Sequence, residues 1–346
     1  MRPLTLSRVL GYCAVLGAVL FVVVVIALKM GAVPVSLYGL GHDLIRVVFR
    51  QSSQLSTEYQ LIIFDIRLPR ILLAIFVGAS LSVAGSGFQA LLRNPLADPY
   101  VLGVSSGASV GAILALILET RVALSPAVAV VFTPLGAFLG ATITVSAVYL
   151  LGRREGEIDT PTLLLAGVIS ASFLSAIIMF FMSTLTGGNY HGLAFWMMGD
   201  LSTPIQPLLG WILRVGFFVA AGTIYMTSTD LNLLLAGEQE AMHLGVDVRR
   251  VRVVVYIAAS LLTALAVSVS GAIAFVGLLV PHAMRLLFGS DHRVLLPTAA
   301  LGGAIALVVA DTLARTVVSP SEVPVGAMTA LAGAPLFLYL LRRRAL

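Results

Sequence analysis

Apolar residues run along this chain in long unbroken stretches, with polar positions gathered into the short segments between them. Ten such stretches stand out, at roughly 9–29, 69–92, 100–118, 127–151, 162–185, 205–226, 251–269, 272–289, 294–314 and 325–342. About 20 helical residues cross the hydrocarbon core of a bilayer, so each stretch predicts one spanning helix. A barrel strand would alternate apolar and polar positions, and these runs do not. A partial helix is expected within 187–204, and the break at Ser270–Gly271 makes the turn between spans seven and eight tight. The expected fold class is an all-α membrane protein of about ten transmembrane helices. No low-complexity linker or soluble domain interrupts it, so residues 1–346 read as one transmembrane domain.

Composition closes off the soluble alternatives. Hydrophobic residues make up 59% of the chain, charged residues 11%, and mean hydropathy is +1.04. Soluble domains carry about 25% charged residues, and one with this makeup would expose large apolar patches. The net charge of +5 does not point to nucleic acid. The basic residues sit in short loops and at span ends, where they orient a membrane protein. Placing the N-terminus inside puts Arg93, Arg153, Arg154, Arg249, Arg250, Arg252 and Arg293 inside as well, so both termini are expected in the cytoplasm. The long first loop, Gly31 to Leu68, holds most of the basic residues left outside, among them Arg46 and Arg50. The single cysteine, Cys13, forms no internal disulfide and no thiolate cluster. Leu10 to Leu28 is long for a signal-peptide core and lacks a clear cleavage site, so it reads as an uncleaved first span.

Spans two to five and seven to ten are each four helices long and offset by five spans, the arithmetic of an inverted repeat. Ser82–Gly85 and Ser268–Gly271 echo it faintly. Gly78, Ala79, Ser82, Gly85 and Gly87, with Gly103, Gly107 and Gly111, predict close helix packing, because small residues let transmembrane backbones approach.

Four segments carry chemistry of interest. Arg67 and Arg70 flank Pro69 at the mouth of span two, where proline suits a first helical turn. Arg315 lies four residues after Asp311, the spacing of a helical ion pair. Asn94 to Pro99 is a turn broken by two prolines. Asp230 to Arg252 reads as a short amphipathic helix with Leu233, Leu234, Leu235, Met242 and Leu244 on its apolar face and Gly245 at its stop. Such a helix lies in the interface or docks on a partner. Arg214 sits about seven residues into span six and either snorkels outward or faces a cavity. His191 and His282 read as packed or hydrogen-bonded histidines before ligands, and Met179, Met182, Met197 and Met198 as gap fillers before a copper site.

Arg67 to Pro99 and Gly271 to Arg293, together with Trp196–Gly199 and Gly333–Phe337, resemble the permease subunits of ATP-driven (ABC, type II) importers for iron chelates, haem and vitamin B12. The resemblance covers about residue 60 to the C-terminus. It implies a BtuC-like permease fold in a homodimer, with the path on the two-fold axis. It implies two cytoplasmic ATPase subunits docked on loop 230–247 through Gly237, Glu238, Glu240, Ala241, Leu244 and Gly245. It implies that Arg67, Arg70 and Arg315 meet carboxylates of an external solute-binding protein. Asn94 and Leu96, with Thr160 and Pro161, match inner-gate positions; Pro161 replaces a polar residue found in part of the family. Cargo would be a metal chelate, ferric siderophore or haem ahead of cobalamin, in a prokaryotic plasma membrane.

The chain carries no G-x-x-x-x-G-K-[ST] phosphate loop, no H-E-x-x-H and no Ser-His-Asp constellation. No cofactor is therefore expected here, and ATP with magnesium would belong to the partner ATPase. Asp43, Asp65, Glu119, Asp200 and Glu322 fall at span ends or in loops. An ion-coupled secondary transporter, the rival of another class, would need carboxylates in mid-span.

Overall fold

A computed structural model of the chain describes residues 6–31, 61–122, 126–154, 157–184 and 188–342. Arg46, Arg50 and Asp43 lie outside the described residues. Among the latter the helices are α1 (Leu6–Lys29), α2 (Leu68–Leu91), α3 (Val104–Arg121), α4 (Pro126–Leu151), α5 (Thr160–Thr184), α6 (Gly188–Met197) and α7 (Pro207–Met226). They continue with α8 (Ser228–Ala236), α9 (Glu238–His243), α10 (Val248–Ser270), α11 (Val276–Phe288), α12 (His292–Thr316) and α13 (Val325–Arg342). A π-helical turn, Leu61–Arg67, leads into α2, and a 3-10 turn, Pro99–Leu102, leads into α3. A minimal antiparallel hairpin, β1 (Arg153–Arg154) with β2 (Glu157–Ile158), joins α4 to α5 in the register Arg153 to Ile158.

Seven helices are long and apolar enough to cross a membrane, and α3, α11 and α13 are shorter apolar helices, so each of the ten expected spans has its counterpart. The predicted partial helix is α6. Helices α2 and α10 are buried along most of their length, and α12 along much of its own. Helices α1, α4, α5 and α7 expose most of theirs, as helices facing lipid do. Helix α2 packs on α12, α10 and α11, while α10 packs on α4 as well as on α2 and α7. The α2–α12 contact thus has its counterpart in the α10–α4 contact, as an inverted repeat requires.

Span eight begins later than the apolar run suggests, at Val276 rather than 272. Gly271 and Phe275 hold φ of 64° and 68°, so the backbone between them leaves the helix. Backbone groups freed inside a membrane need partners. The Ile273 N–H donates to the Tyr100 hydroxyl at 3.0 Å, and the Ser270 carbonyl accepts from the Asp200 N–H at 2.8 Å. A Cβ at Gly271 would strike the Trp196 carbonyl.

The small residues named above do bring backbones together. A Cβ on Gly78 would meet the Gly303 carbonyl, one on Gly85 the Gly277 carbonyl, and those on Gly107 and Gly111 the carbonyls of Gly140 and Gly136. Gly85→Leu should therefore cost more than the roughly 1–3 kcal/mol of ordinary overpacking, because a backbone cannot rotate aside as a side chain can. The expected result is a lower melting temperature and loss of the monodisperse peak on size exclusion. Gly87→Ala, whose Cβ meets the Val255 side chain at 3.3 Å, should melt close to wild type.

Candidate functional site

Functional side chains gather at the two ends of the helix bundle. At one end Pro69 fixes the first turn of α2, with Arg67 at its N-cap and Arg70 within that turn. Arg67 donates to the Leu28 carbonyl at 2.7 Å and ties α1 to α2. Arg70 Nε donates to Asp311 Oδ1 at 2.8 Å, and its Nη1 to Glu322 Oε2 at 2.7 Å. Arg315 Nε lies 3.0 Å from Asp311 Oδ2 across one turn of α12. The i,i+4 spacing read from the sequence thus forms its local ion pair, and Asp311 also takes Arg70 from another helix. All three arginines and Asp311 are buried in the single chain; Glu322, 41% exposed, is the member open to solvent.

The opposite end holds the turn 92–98 and the α8–α9 loop. Arg93 adopts a left-handed φ of 49°, which turns the chain sharply out of α2. Asn94 Oδ1 then accepts the Leu96 N–H at 2.9 Å, and Asp98 Oδ1 accepts the Tyr100 N–H at 2.8 Å, two Asx turns in succession. Asn94 is exposed and Leu96 half-buried. Thr160 and Pro161 occupy the first turn of α5, where Asp159 takes the Thr162 N–H at 3.0 Å and the Thr162 hydroxyl, in the manner of an N-cap. These two bonds hold the half-buried Asp159 carboxyl below its ordinary pKa. No hydrogen bond among the described residues joins Asn94 or Leu96 to Thr160 or Pro161; each pair belongs to its own turn.

Residues 230–244 are not one amphipathic helix. Gly237, at φ 147°, breaks them into α8 and α9, with Gly245 at φ 87° ending the second. Leu231 and Leu234 turn into the core, whereas Leu235, Met242 and Leu244 are exposed. Ala241 is fully buried, while Glu240, Leu244 and Gly245 are exposed and Gly237 and Glu238 half-buried. Asn232 anchors the loop, donating to Asp291 at 2.8 Å and accepting the His292 N–H at 2.9 Å.

Sequence reasoning missed the pairs that join these parts. Glu238 on α9 lies 3.3 Å from Arg93 and forms a second, shorter bridge to Arg252 on α10. Arg93 also donates to the Leu234 carbonyl at 3.0 Å. Gln89 donates to the Leu278 carbonyl at 3.1 Å and accepts from Arg285 at 3.0 Å, stitching the two signature stretches together. Apart from Glu238 and Arg252, which are 14 residues apart, the partners stand 141 to 196 residues apart, beyond any local spacing rule. His282 is buried within α11 and His191 is exposed.

Burial pushes the Asp98 carboxyl up from 3.8 to about 6, against the Tyr100 N–H, which draws it down. The folded chain therefore holds this proton more tightly than the unfolded one. Its contribution favours folding at low pH and is lost as pH rises from about 4 through about 6. Asp98→Asn keeps a neutral acceptor for Tyr100. Its melting temperature should match wild type near pH 4.5 and exceed it near pH 7.5; parallel curves would contradict the burial argument.

A family model described as the FecCD transport family matches residues 15–343. The chain is 42% identical over 345 residues to the cobalamin import system permease protein BtuC of Halobacterium salinarum, covering 99% of this chain and 90% of that one. It is 38% identical over 336 residues to the hemin transport system permease protein HmuU of Yersinia pestis, covering 95% of each. A solved structure described as an inward-facing metal-chelate type ABC transporter superposes with a TM-score of 0.80 at 31% identity, over 96% of this chain and 98% of that one.

Proposed function

The chain belongs to the FecCD transport family, and we propose on that footing that it is the permease of an ATP-driven importer for a metal chelate. It is a transport subunit and not an enzyme. The observation that carries the reading is the Glu238 bridge. One carboxylate on α9 reaches Arg93, the residue directly before Asn94, and Arg252 at the foot of α10. A push on the α8–α9 loop is thereby delivered to the turn assigned to the inner gate.

The end that bears α8, α9, Arg249, Arg250 and Arg293 faces the cytoplasm in this reading, by the positive-inside rule. Two ATPase subunits, carrying the ATP and magnesium, dock on loop 230–247 of a homodimer through its exposed Glu240, Met242, Leu244 and Gly245. Gly237 supplies the hinge, and Ala241 and Glu238 tie the loop to the core. The Asn94–Leu96 turn and the Thr160–Pro161 turn close the path between two copies. At the other end the solute-binding protein meets Arg67, Arg70 and Arg315; Glu322, the exposed carboxylate on Arg70, occupies the place an incoming carboxylate would take. The whole of 1–346 acts as one transmembrane permease domain in a prokaryotic plasma membrane with both termini cytoplasmic.

For cargo, relatives named for cobalamin and for hemin both support a metal held in a macrocycle. This moves a tetrapyrrole chelate ahead of a ferric siderophore. The test is uptake of labelled haem, cobalamin and ferric siderophores, each offered separately to cells lacking the gene and to cells with it restored. Loss and rescue for a tetrapyrrole alone is the expected result. Loss for a siderophore alone would overturn the cargo, and uptake that persists after ATP depletion would overturn the importer.

A further inference from the structure

The sequence left Arg214 open between a cavity and the periphery, and the structure puts it on the periphery. Helix α7 buries only Leu213, Ala220 and Ile224. Arg214 is exposed on the same surface as Trp211, Val215 and Phe218. It stands about 10 Å along the helix from Pro207, within an apolar span. Its Nε donates to the Gly210 carbonyl at 2.9 Å, and its guanidinium stacks 4.2 Å from the Trp211 ring. Both contacts draw it toward the Pro207 end of α7. Among the described residues no carboxylate pairs with it. A cation at membrane depth is costly, and this one has only a ring and a carbonyl beside it.

The guanidinium borders a groove of about 400 Å³ between α2 and α7. The groove starts at Gln206 and Pro69 and descends past Leu72, Phe76 and Phe217 to Phe218. Eleven or so residues of helix make that descent roughly 16 Å, about half the hydrocarbon core. Its walls are apolar except for Gln206 at the mouth and Arg214 further down, whose guanidinium leans back toward Gly210 and is the one charge.

We propose that this groove is a binding site for a glycerophospholipid, with the phosphodiester on Arg214 and an acyl chain along Leu72, Phe76 and Phe217. The guanidinium fork matches two phosphate oxygens, the phosphate neutralises the stranded charge, and the apolar wall beside and beyond Arg214 takes the upper part of an acyl chain. The inference rests on the membrane-spanning fold alone and is independent of the cargo.

Native mass spectrometry of the intact complex in neutral detergent tests it, with phosphatidylglycerol and a diacylglycerol of the same chains as probes. Wild type should retain about one phosphatidylglycerol per chain, with roughly tenfold preference over diacylglycerol. Arg214→Gln should abolish the preference, Arg214→Lys should keep part of it, and Leu72→Trp should displace either lipid by filling the groove. Wild type that retains both probes equally would overturn the proposal. So would Arg214→Gln with undiminished preference, or a groove that takes neither probe because another segment or a second copy fills it. If Arg214→Gln does not fold, wild type and Leu72→Trp decide the matter alone.

Discussion

Asp311→Ala is expected to destabilise the folded chain by about 3–5 kcal/mol, the range for breaking a buried ion pair by removing one partner. Asp311 is 1% exposed and answers two arginines that are themselves nearly buried, Arg70 at 2.8 Å and Arg315 at 3.0 Å. Without it both guanidinium groups stay where the helices hold them, and Glu322 alone is left to balance them. Melting in detergent should fall by roughly 6–10 °C, at about 2 °C per kcal/mol for a chain of this size. Glu322→Gln provides the contrast. Its carboxylate is 41% exposed, so the Arg70–Glu322 bridge is screened and worth under about 1 kcal/mol. Replacing Arg70 and Asp311 together by leucine should recover only part of the loss, because Arg70 is no longer buried without its partner while Arg315 still is. A melting temperature for Asp311→Ala within about 1 °C of wild type would mean the cluster does not hold the bundle together.

The spans were legible because their ends coincide with residues that stop helices for local reasons. Pro69, Pro207 and Gly271 mark boundaries in the sequence and in the structure alike. Two local signals misled. The apolar run through Ala272 and Ile273 reads as helix, yet Phe275 sits at positive φ, a state that tertiary packing imposes and composition does not advertise. The leucines of 233–235 read as one amphipathic stripe, yet Gly237 divides the segment and Leu234 is claimed by the core. The turn at Asn94 was legible from its two prolines. What it touches was not, because Arg93 finds Glu238 only once α2 and α10 are packed. Arg214 shows the same limit: the sequence supplied its depth, and only packing supplied its face.

Glu238→Ala should leave the chain folded while separating ATP hydrolysis from transport. The Arg93–Glu238 bridge joins half-exposed side chains at 3.3 Å, and the variant also frees Arg252, so losing both bridges should cost at most about 2 kcal/mol of stability. Its place in the circuit matters more than its strength. It is the ionic contact, among the described residues, between α9 and the turn that carries Asn94. Coupling free energies between sites run to about 1–3 kcal/mol, a factor of roughly 5–150. The expected phenotype in liposomes with the ATPase and binding protein is hydrolysis near the wild-type rate with cargo uptake reduced about tenfold or more. Exchange of the charges, Arg93→Glu with Glu238→Arg, should restore part of the uptake that either change alone removes. The restoration has a ceiling, since Arg252 would then face an arginine across α9. Uptake and hydrolysis falling together in Glu238→Ala would point instead to failed ATPase docking. Unchanged uptake would show that the gate turn follows the α8–α9 loop through packing at Ala241 and Leu234 rather than through this carboxylate.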